Sequence, residues 1–180
     1  DAQMTLQGPG DSSLTLGLWS STAYTSAEQA DGSHDSDLRL DSFRIITVAK
    51  FTKQIGLMTN FARLSGESMR LLDLVGQFTL TDSVNLWVGR HVVPGDRQQM
   101  AGPYFANVWE YPMVSRNPNA YTGRDDGATL WGSVLDRRLQ YMVGAFQGKN
   151  RGEGMSNESH QLLYATRFAW SFRDRESEYF

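Results

Sequence analysis

Arginine is the residue type in this sequence that is best suited to bind a ligand, because its positive charge attracts anions. Rings of arginine or lysine side chains favour anions in a water-filled passage. Arg44 and Arg167 occupy the less apolar positions of two alternating segments, whereas Arg97, Arg116 and Arg124 lie in or beside a long aperiodic stretch. These five residues are therefore candidates for contact with small anions.

The carboxylates near these arginines offer a structural alternative. The arginines would then pair with acidic residues and simply hold the stretch in place, as weak ion pairs often do; the candidates are Asp96, Glu110, Asp125 and Asp126. The chain has a net charge of −3 and a pI near 5.6, which argues against a nucleic-acid partner bound by a general basic surface. Any preference for anions must come from local arginines.

Catalytic and metal-binding patterns are missing from the sequence. The chain has no cysteine, which removes thiol catalysis, disulfides and cysteine-based metal sites. His34, His91 and His160 are far apart and show no metal-ligand spacing. No motif supports a nucleophile activated by histidine, and residues 148–154 lack the ending of a phosphate-binding loop. The sequence predicts a protein that is not an enzyme and uses no cofactor or metal.

The segments that carry the arginines alternate between apolar and polar residues, as strands with one apolar face do. Eight strands are predicted, at residues 13–18, 38–51, 55–62, 72–78, 84–89, 128–134, 139–146 and 162–170. Short turns are predicted at 52–54, 81–83 and 136–138, and long loops at 25–37, 94–124 and 148–159. We therefore predict an all-β antiparallel fold in a single domain over residues 1–180.

The alternation does not show whether the apolar face of the strands contacts lipid or packs into a protein core. No stretch reaches the ~18 consecutive apolar residues of a membrane-spanning helix. The strands of a membrane barrel need only ~9–11 residues each, which agrees with a mean hydropathy of −0.44. Short turns at one end and long loops at the other favour such a barrel, as do Trp19, Phe51, Tyr164 and Trp170 near strand ends. A soluble β-sandwich or lipocalin-like barrel is the alternative.

Four segments in the second half of the chain occur in a characteristic order. They are VNLWVGR at 84–90, VPGDRQ at 93–98, GRDDG at 123–127 and LQYMVGAFQG at 139–148. In order and spacing they resemble the phosphate-selective porin O and P family. There, a strand ending in Val-Gly-Arg precedes a Val-Pro-x-x-Arg-Gln segment, a long loop, a Gly-Arg-Asp-x-Gly entry and a Tyr-x-Val-Gly-x-Phe strand. The first half resembles the family only in its hairpin at 43–61.

The resemblance implies an outer-membrane porin, a passive channel for small hydrophilic solutes, chiefly anions and including phosphate. Members are trimeric barrels of about sixteen strands in contact with lipid and lipopolysaccharide, so this chain would form the N-terminal half of one. Their long loop folds into the pore, which implies that the loop at about 94–124 does so here and brings its arginines to the anions. The loop aromatics that would line the constriction, or pack against the wall, are Tyr104, Trp109, Tyr111 and Tyr121.

A closed barrel of eight strands is the rival interpretation. Its interior would be nearly filled by side chains, so the protein would serve a structural, adhesin or scaffold role without an open pore. The charged residues 173–178 before Phe180 indicate a loop and not a final membrane strand, which favours a fragment. Residues 1–4 lack the features of a signal peptide, so the sequence is either mature or an internal piece.

Overall fold

The computed structural model describes residues 2–64, 66–95, 100, 123–148 and 161–174, and the elements in these ranges are β-strands. Nine strands follow one another along the chain: β1 (Ala2–Gln7), β2 (Ser13–Glu28), β3 (His34–Lys50), β4 (Ile55–Leu64), β5 (Arg70–Thr81), β6 (Val84–Val92), β7 (Arg124–Val134), β8 (Leu139–Phe146) and β9 (Leu163–Trp170). The predicted all-β class is confirmed. The prediction of eight strands was one short, because β1, only six residues long, was not recognised.

All nine strands form one sheet in which each strand pairs antiparallel with the next along the chain. β1 and β9 are the two edges of this sheet, and the described strands do not close into a barrel. The antiparallel arrangement is therefore confirmed, whereas closure is not a property of this sheet alone.

The predicted loop at 25–37 is wrong. β2 and β3 remain paired from Thr22↔Leu40 to Glu28↔His34, and a turn covers only residues 29–33. Backbone hydrogen bonds hold this hairpin together, and they form whether the side chains are apolar or polar. The loop was predicted because this stretch lacks alternating apolar residues. In the turn, the hydroxyl and then the backbone N–H of Ser33 donate to Asp31 at 2.6 and 2.9 Å, which lowers the pKa of the Asp31 carboxyl.

The connections differ in length at the two ends of the sheet. The predicted short turns are confirmed at one end, where residues 51–54, 82–83 and 135–138 join neighbouring strands. The longest connections, 93–123 and 147–162, lie at the other end, which we call the upper end. Most of both long connections falls outside the described residues, including all of the predicted loop at 148–159 except Gly148.

The two faces of the sheet differ sharply in composition. One face, which we call the outer face, is apolar and exposed; its members include Leu18, Phe61, Leu74, Val88, Leu130, Val143 and Phe168. The opposite face, which we call the sheltered face, is largely buried. β4 shows the contrast, since Met58, Asn60 and Ala62 are buried while Ile55 and Phe61 are exposed. Because side chains alternate along a strand, the pairing register carries this division across the sheet.

Gly89 combines a positive φ with a close approach to a neighbouring strand. Its φ is +129°, and a Cβ at this position would lie 2.2 Å from the carbonyl oxygen of Leu74 on β5. We expect Gly89→Ala to reduce the free energy of unfolding by about 1–3 kcal/mol, because it adds backbone strain and a clash. Urea unfolding, followed by tryptophan fluorescence, measures this change.

Gly17→Ala is the matched control, because a Cβ there has its nearest neighbour at 3.7 Å, an ordinary contact distance. Equal unfolding midpoints for the Gly89 and Gly17 variants would contradict the account of Gly89.

Candidate functional site

The sheltered face collects polar side chains that the fold removes from water. A polar group that is buried without a partner costs roughly 1–3 kcal/mol, so such groups normally hydrogen-bond to one another. The buried polar and charged residues are Ser42, Arg44, Asn60, Asp73, His91, Asp125, Thr129 and Gln140. They form the candidate site.

Asp73 is the centre of a charged network near the upper end. It lies between Leu72 and Leu74 in β5, directly across from Asn60 in β4. Asn60 donates from Nδ2 to Asp73 Oδ2 at 2.8 Å, and Arg124 donates from Nε to Asp73 Oδ1, also at 2.8 Å. The side chains of Arg124 and Asp73 are 12% and 5% exposed, so this ion pair is largely shielded from solvent.

His91 forms a second polar group, surrounded by aromatic rings. Its Nδ1 donates to the carbonyl of Gly89 at 3.1 Å, which leaves Nε2 to accept from the Thr129 hydroxyl at 2.8 Å. The imidazole lies 5.9 Å from the ring of Trp87 and 5.2 Å from that of Phe146. Thr129 is fully buried, so this pair is a satisfied internal contact and not an accessible nucleophile with its base.

Two glycines lie between His91 and Thr129 on the sheltered face. His91 lies across from Asp125, and Thr129 lies four residues further along β7. Between them is the pair Gly89↔Gly127, which has no side chains. A Cβ on Gly127 would lie 2.5 Å from Cδ1 of Phe146, so the missing side chain leaves room for the Phe146 ring that packs beside His91.

Asp125 ties the upper ends of β7 and β8 together. Its carboxylate accepts from the backbone N–H of Gly148 at 2.5 Å and from that of Asp126 at 2.9 Å, and its side chain is buried. Charge-assisted bonds of this kind are about twice as strong as neutral ones. Asp125 is therefore a positioning residue for the start of the connection after β8.

An apolar cluster occupies the middle of the sheltered face. Its buried members are Met58, Val75, Trp87, Met100 and Met142. Trp131 packs beside them, with its ring 5.0 Å from that of Trp87. Met100 belongs to the predicted loop 94–124, so at this point the connection lies against the sheltered face.

Three of the five predicted anion-contact arginines lie in described strands, all of them with sheltered-face neighbours. Arg44 in β3 is 8% exposed, with its guanidinium 5.7 Å from the Trp19 ring. Arg167 in β9 is half-buried opposite Met142. Arg124 is the first residue of β7 and pairs with Asp73, a carboxylate that the sequence analysis did not suggest for it.

The sheet does not bring these three arginines to one point. β3 and β9 are six strand positions apart, so Arg44 and Arg167 do not meet within the described sheet. The other predicted site residues lie outside the described residues: Arg97, Arg116, Tyr104, Trp109, Tyr111 and Tyr121.

The sequence analysis missed the residues that organise the site. Asp73 and Thr129 have apolar neighbours on both sides along their strands, and Asn60 and His91 have one on one side. Their shared parity, opposite to that of the outer-face leucines and valines, was the signal that could have found them. No described group of three or more histidine or acidic side chains is arranged to hold a metal ion.

No protein-family model matches the chain, and neither the curated proteins nor the solved structures contain a significant match to it. Over the described ranges, no helix is long and apolar enough to cross a membrane.

Removing the Asp73 carboxylate should leave Arg124 without its charge partner in a shielded place. We expect Asp73→Ala to reduce the free energy of unfolding by about 3–5 kcal/mol, as for other buried ion pairs that lose one member. Urea unfolding, followed by tryptophan fluorescence, measures the change in the free energy of unfolding.

Lys53→Ala is the control, since Lys53 pairs with Asp11 at 3.8 Å while its own side chain is 80% exposed. This variant should unfold as the parent does, because exposed ion pairs contribute little. An Asp73 variant as stable as the Lys53 variant would show that the buried network does not stabilise the fold.

Proposed function

We propose that this sheet forms part of the wall of an outer-membrane β-barrel porin. Its outer face would contact lipid and lipopolysaccharide, and its sheltered face would border a passage for small hydrophilic solutes, chiefly anions. One observation carries the proposal: the exposed face is an apolar band, whereas the buried face collects polar and charged side chains around an apolar cluster.

A water-soluble sheet needs the opposite arrangement, in which the apolar face is covered and the polar face is exposed. In water, a one-sided sheet turns its apolar residues to the core and its polar residues outwards. Here Phe168 is 66% exposed, Leu18 47% and Val143 45%, whereas Asp73 and Asp125 are buried. Soluble monomers rarely expose apolar patches beyond roughly 300–600 Å². A band of leucine, valine and aromatic residues that crosses the sheet from β2 to β9 suits a lipid environment better.

Charged residues border this outer band. At the upper end Arg63 lies on the outer face, and Arg90 pairs with Asp126 at 3.6 Å. At the other end, Lys53 and Asp136 lie in turns. Membrane barrels have an apolar band about 25 Å tall, which tilted strands cross in about 9–11 residues, and β4, with its 10 residues, matches that length.

The distribution of charge is compatible with a preference for anions despite the net charge of the chain. Residues 22–41 carry five carboxylates and one arginine, a net charge of −4 against −3 for the whole chain, so the remainder carries +1. The acidic excess therefore lies on the β2–β3 hairpin. Arg44 and Arg167 on the sheltered face are then the main candidates for attracting anions, with Arg124 held by Asp73. The trimer and the phosphate preference implied by the family resemblance stay predictions.

A structural barrel without an open pore is the second candidate. The apolar cluster around Trp87 and Met142, with Met100 packed on it, favours this alternative, because a dry filling on the sheltered face would obstruct water. Conductance separates the two functions.

Replacement of the sheltered arginines should change ion selectivity. In planar bilayers with a potassium chloride gradient, the parent protein should give discrete conductance steps. Its reversal potential should be shifted from zero towards the equilibrium potential of chloride. Arg44→Ala and Arg167→Ala should each move the reversal potential towards the equilibrium potential of potassium, because each removes a positive charge next to the passage. Arg63→Ala, on the outer face, is the control and should leave it unchanged. An equal shift for Arg63→Ala would count against the assignment of faces, and a silent parent protein would favour the structural barrel.

Met100 should determine how far its connection restricts the passage. Met100→Ala removes a side chain that packs in the same cluster as Met58 and Met142, so we expect a higher single-channel conductance with the reversal potential retained. Met69→Ala is the control, because Met69 is 43% exposed and lies in a turn outside this cluster. Unchanged conductance in the Met100 variant would show that the contact does not restrict ion flow.

A further inference from the structure

The hairpin formed by residues 22–41, which we call the upper hairpin, extends beyond the rest of the described sheet. β1 pairs with β2 only as far as Leu18, and β4 pairs with β3 only as far as Ser42. Above these positions β2 and β3 pair with each other, from Thr22↔Leu40 to Glu28↔His34. Seven residue pairs at ~3.3 Å each give the upper hairpin a length of about 23 Å.

One edge of the upper hairpin, residues 34–41 of β3, has no described strand beside it. The backbone groups on that edge form a ready template for another strand. The side chains next to it are exposed or nearly so and fall into two sets. Leu38 and Leu40 continue the outer face beside Tyr24, whereas Asp35, Asp37 and Arg39 point to the opposite side, and Arg39 pairs with Asp41 at 3.5 Å.

Charged side chains on an edge often serve only to prevent unwanted pairing. That role explains the carboxylates here, but it does not explain why Leu38 is 71% exposed and Tyr24 67% exposed beside the same edge. Both lie well above the charged border at Arg63, and therefore outside the band that lipid would cover. Exposed apolar side chains in that position point to a protein partner.

The charge of the upper hairpin indicates the chemistry of that partner. The hairpin has a net charge of −4, and Asp35 and Asp37 form no ion pair with a described residue. A strand added at the edge would place its alternate side chains against the leucines and against the aspartates. An extended segment that alternates apolar with basic residues complements both sets.

We propose that the edge of β3 from His34 to Asp41 binds an extended cationic segment of a partner protein as an added β-strand. Its lysine or arginine side chains lie beside Asp35 and Asp37, and its apolar side chains cover Leu38 and Leu40. Main-chain hydrogen bonds provide the affinity, and the alternation provides the specificity, as in other cases of β-strand addition.

The test uses an eight-residue peptide of alternating lysine and valine, labelled for fluorescence anisotropy, with the protein in a neutral detergent. We expect saturable binding that weakens with salt. The same peptide with N-methyl groups on alternate residues keeps its charge but cannot pair as a strand, so it should not bind. A glutamate–valine peptide should not bind either.

The double variant Asp35→Asn/Asp37→Asn should weaken binding of the lysine–valine peptide about tenfold, since it removes two exposed charge pairs. Asp11→Asn/Asp82→Asn is the matched control, because it removes the same charge from turns at the opposite end of the sheet. Equal binding of the N-methylated peptide, or equal weakening in the control, would mean charge attraction without strand pairing and would overturn the proposal. Failure of the lysine–valine peptide to bind would overturn it as well. These results do not depend on whether the protein conducts ions.

Discussion

The pairing register of nine consecutive antiparallel strands is the constraint on which the rest of this structure depends. Side chains alternate between faces, so a slip of one residue would move Asp73 and Asn60 to the outer face and bring Leu74 inwards. The sheet absorbs irregularities locally, with register shifts after Ser21, Asn60 and Thr79. Between these shifts, the apolar outer side chains stay on one face of the sheet and the buried side chains, polar and apolar, stay on the other.

The polar network on the sheltered face reinforces that register over long distances. The contact of Arg124 with Asp73 joins residues 51 apart in sequence and spans β6, and the contact of His91 with Thr129 joins residues 38 apart. Both bridge the long connection between β6 and β7, where no short turn can fix the alignment. The groups that make the sheltered face polar therefore also hold the two halves of the sheet in alignment.

Sequence alternation was sufficient to predict the fold class, the short turns and the faces of Arg44 and Arg167, because period two follows directly from strand geometry. Alternation failed to predict strands that have no apolar residues at every second position. The upper hairpin was predicted as a loop since both of its strands are polar, although its backbone pairs to the end. The partner of Arg124 could not be predicted, because Asp73 becomes its neighbour only through a pairing order that brings β5 and β7 to either side of β6.

Strand direction limits how this sheet can be completed. Consecutive strands alternate in direction, so β1 and β9, the first and ninth, run the same way. If β1 paired with β9 of the same chain, the two strands would be parallel. The same holds if β1 paired with β9 of a second copy in the same membrane orientation. Bacterial barrels have even numbers of antiparallel strands. Antiparallel seams at both edges need an odd number of further strands between β9 and β1, and seven would complete a barrel of about sixteen. In lipid, where unpaired backbone groups are costly, completion of both edges is a condition for the proposed wall.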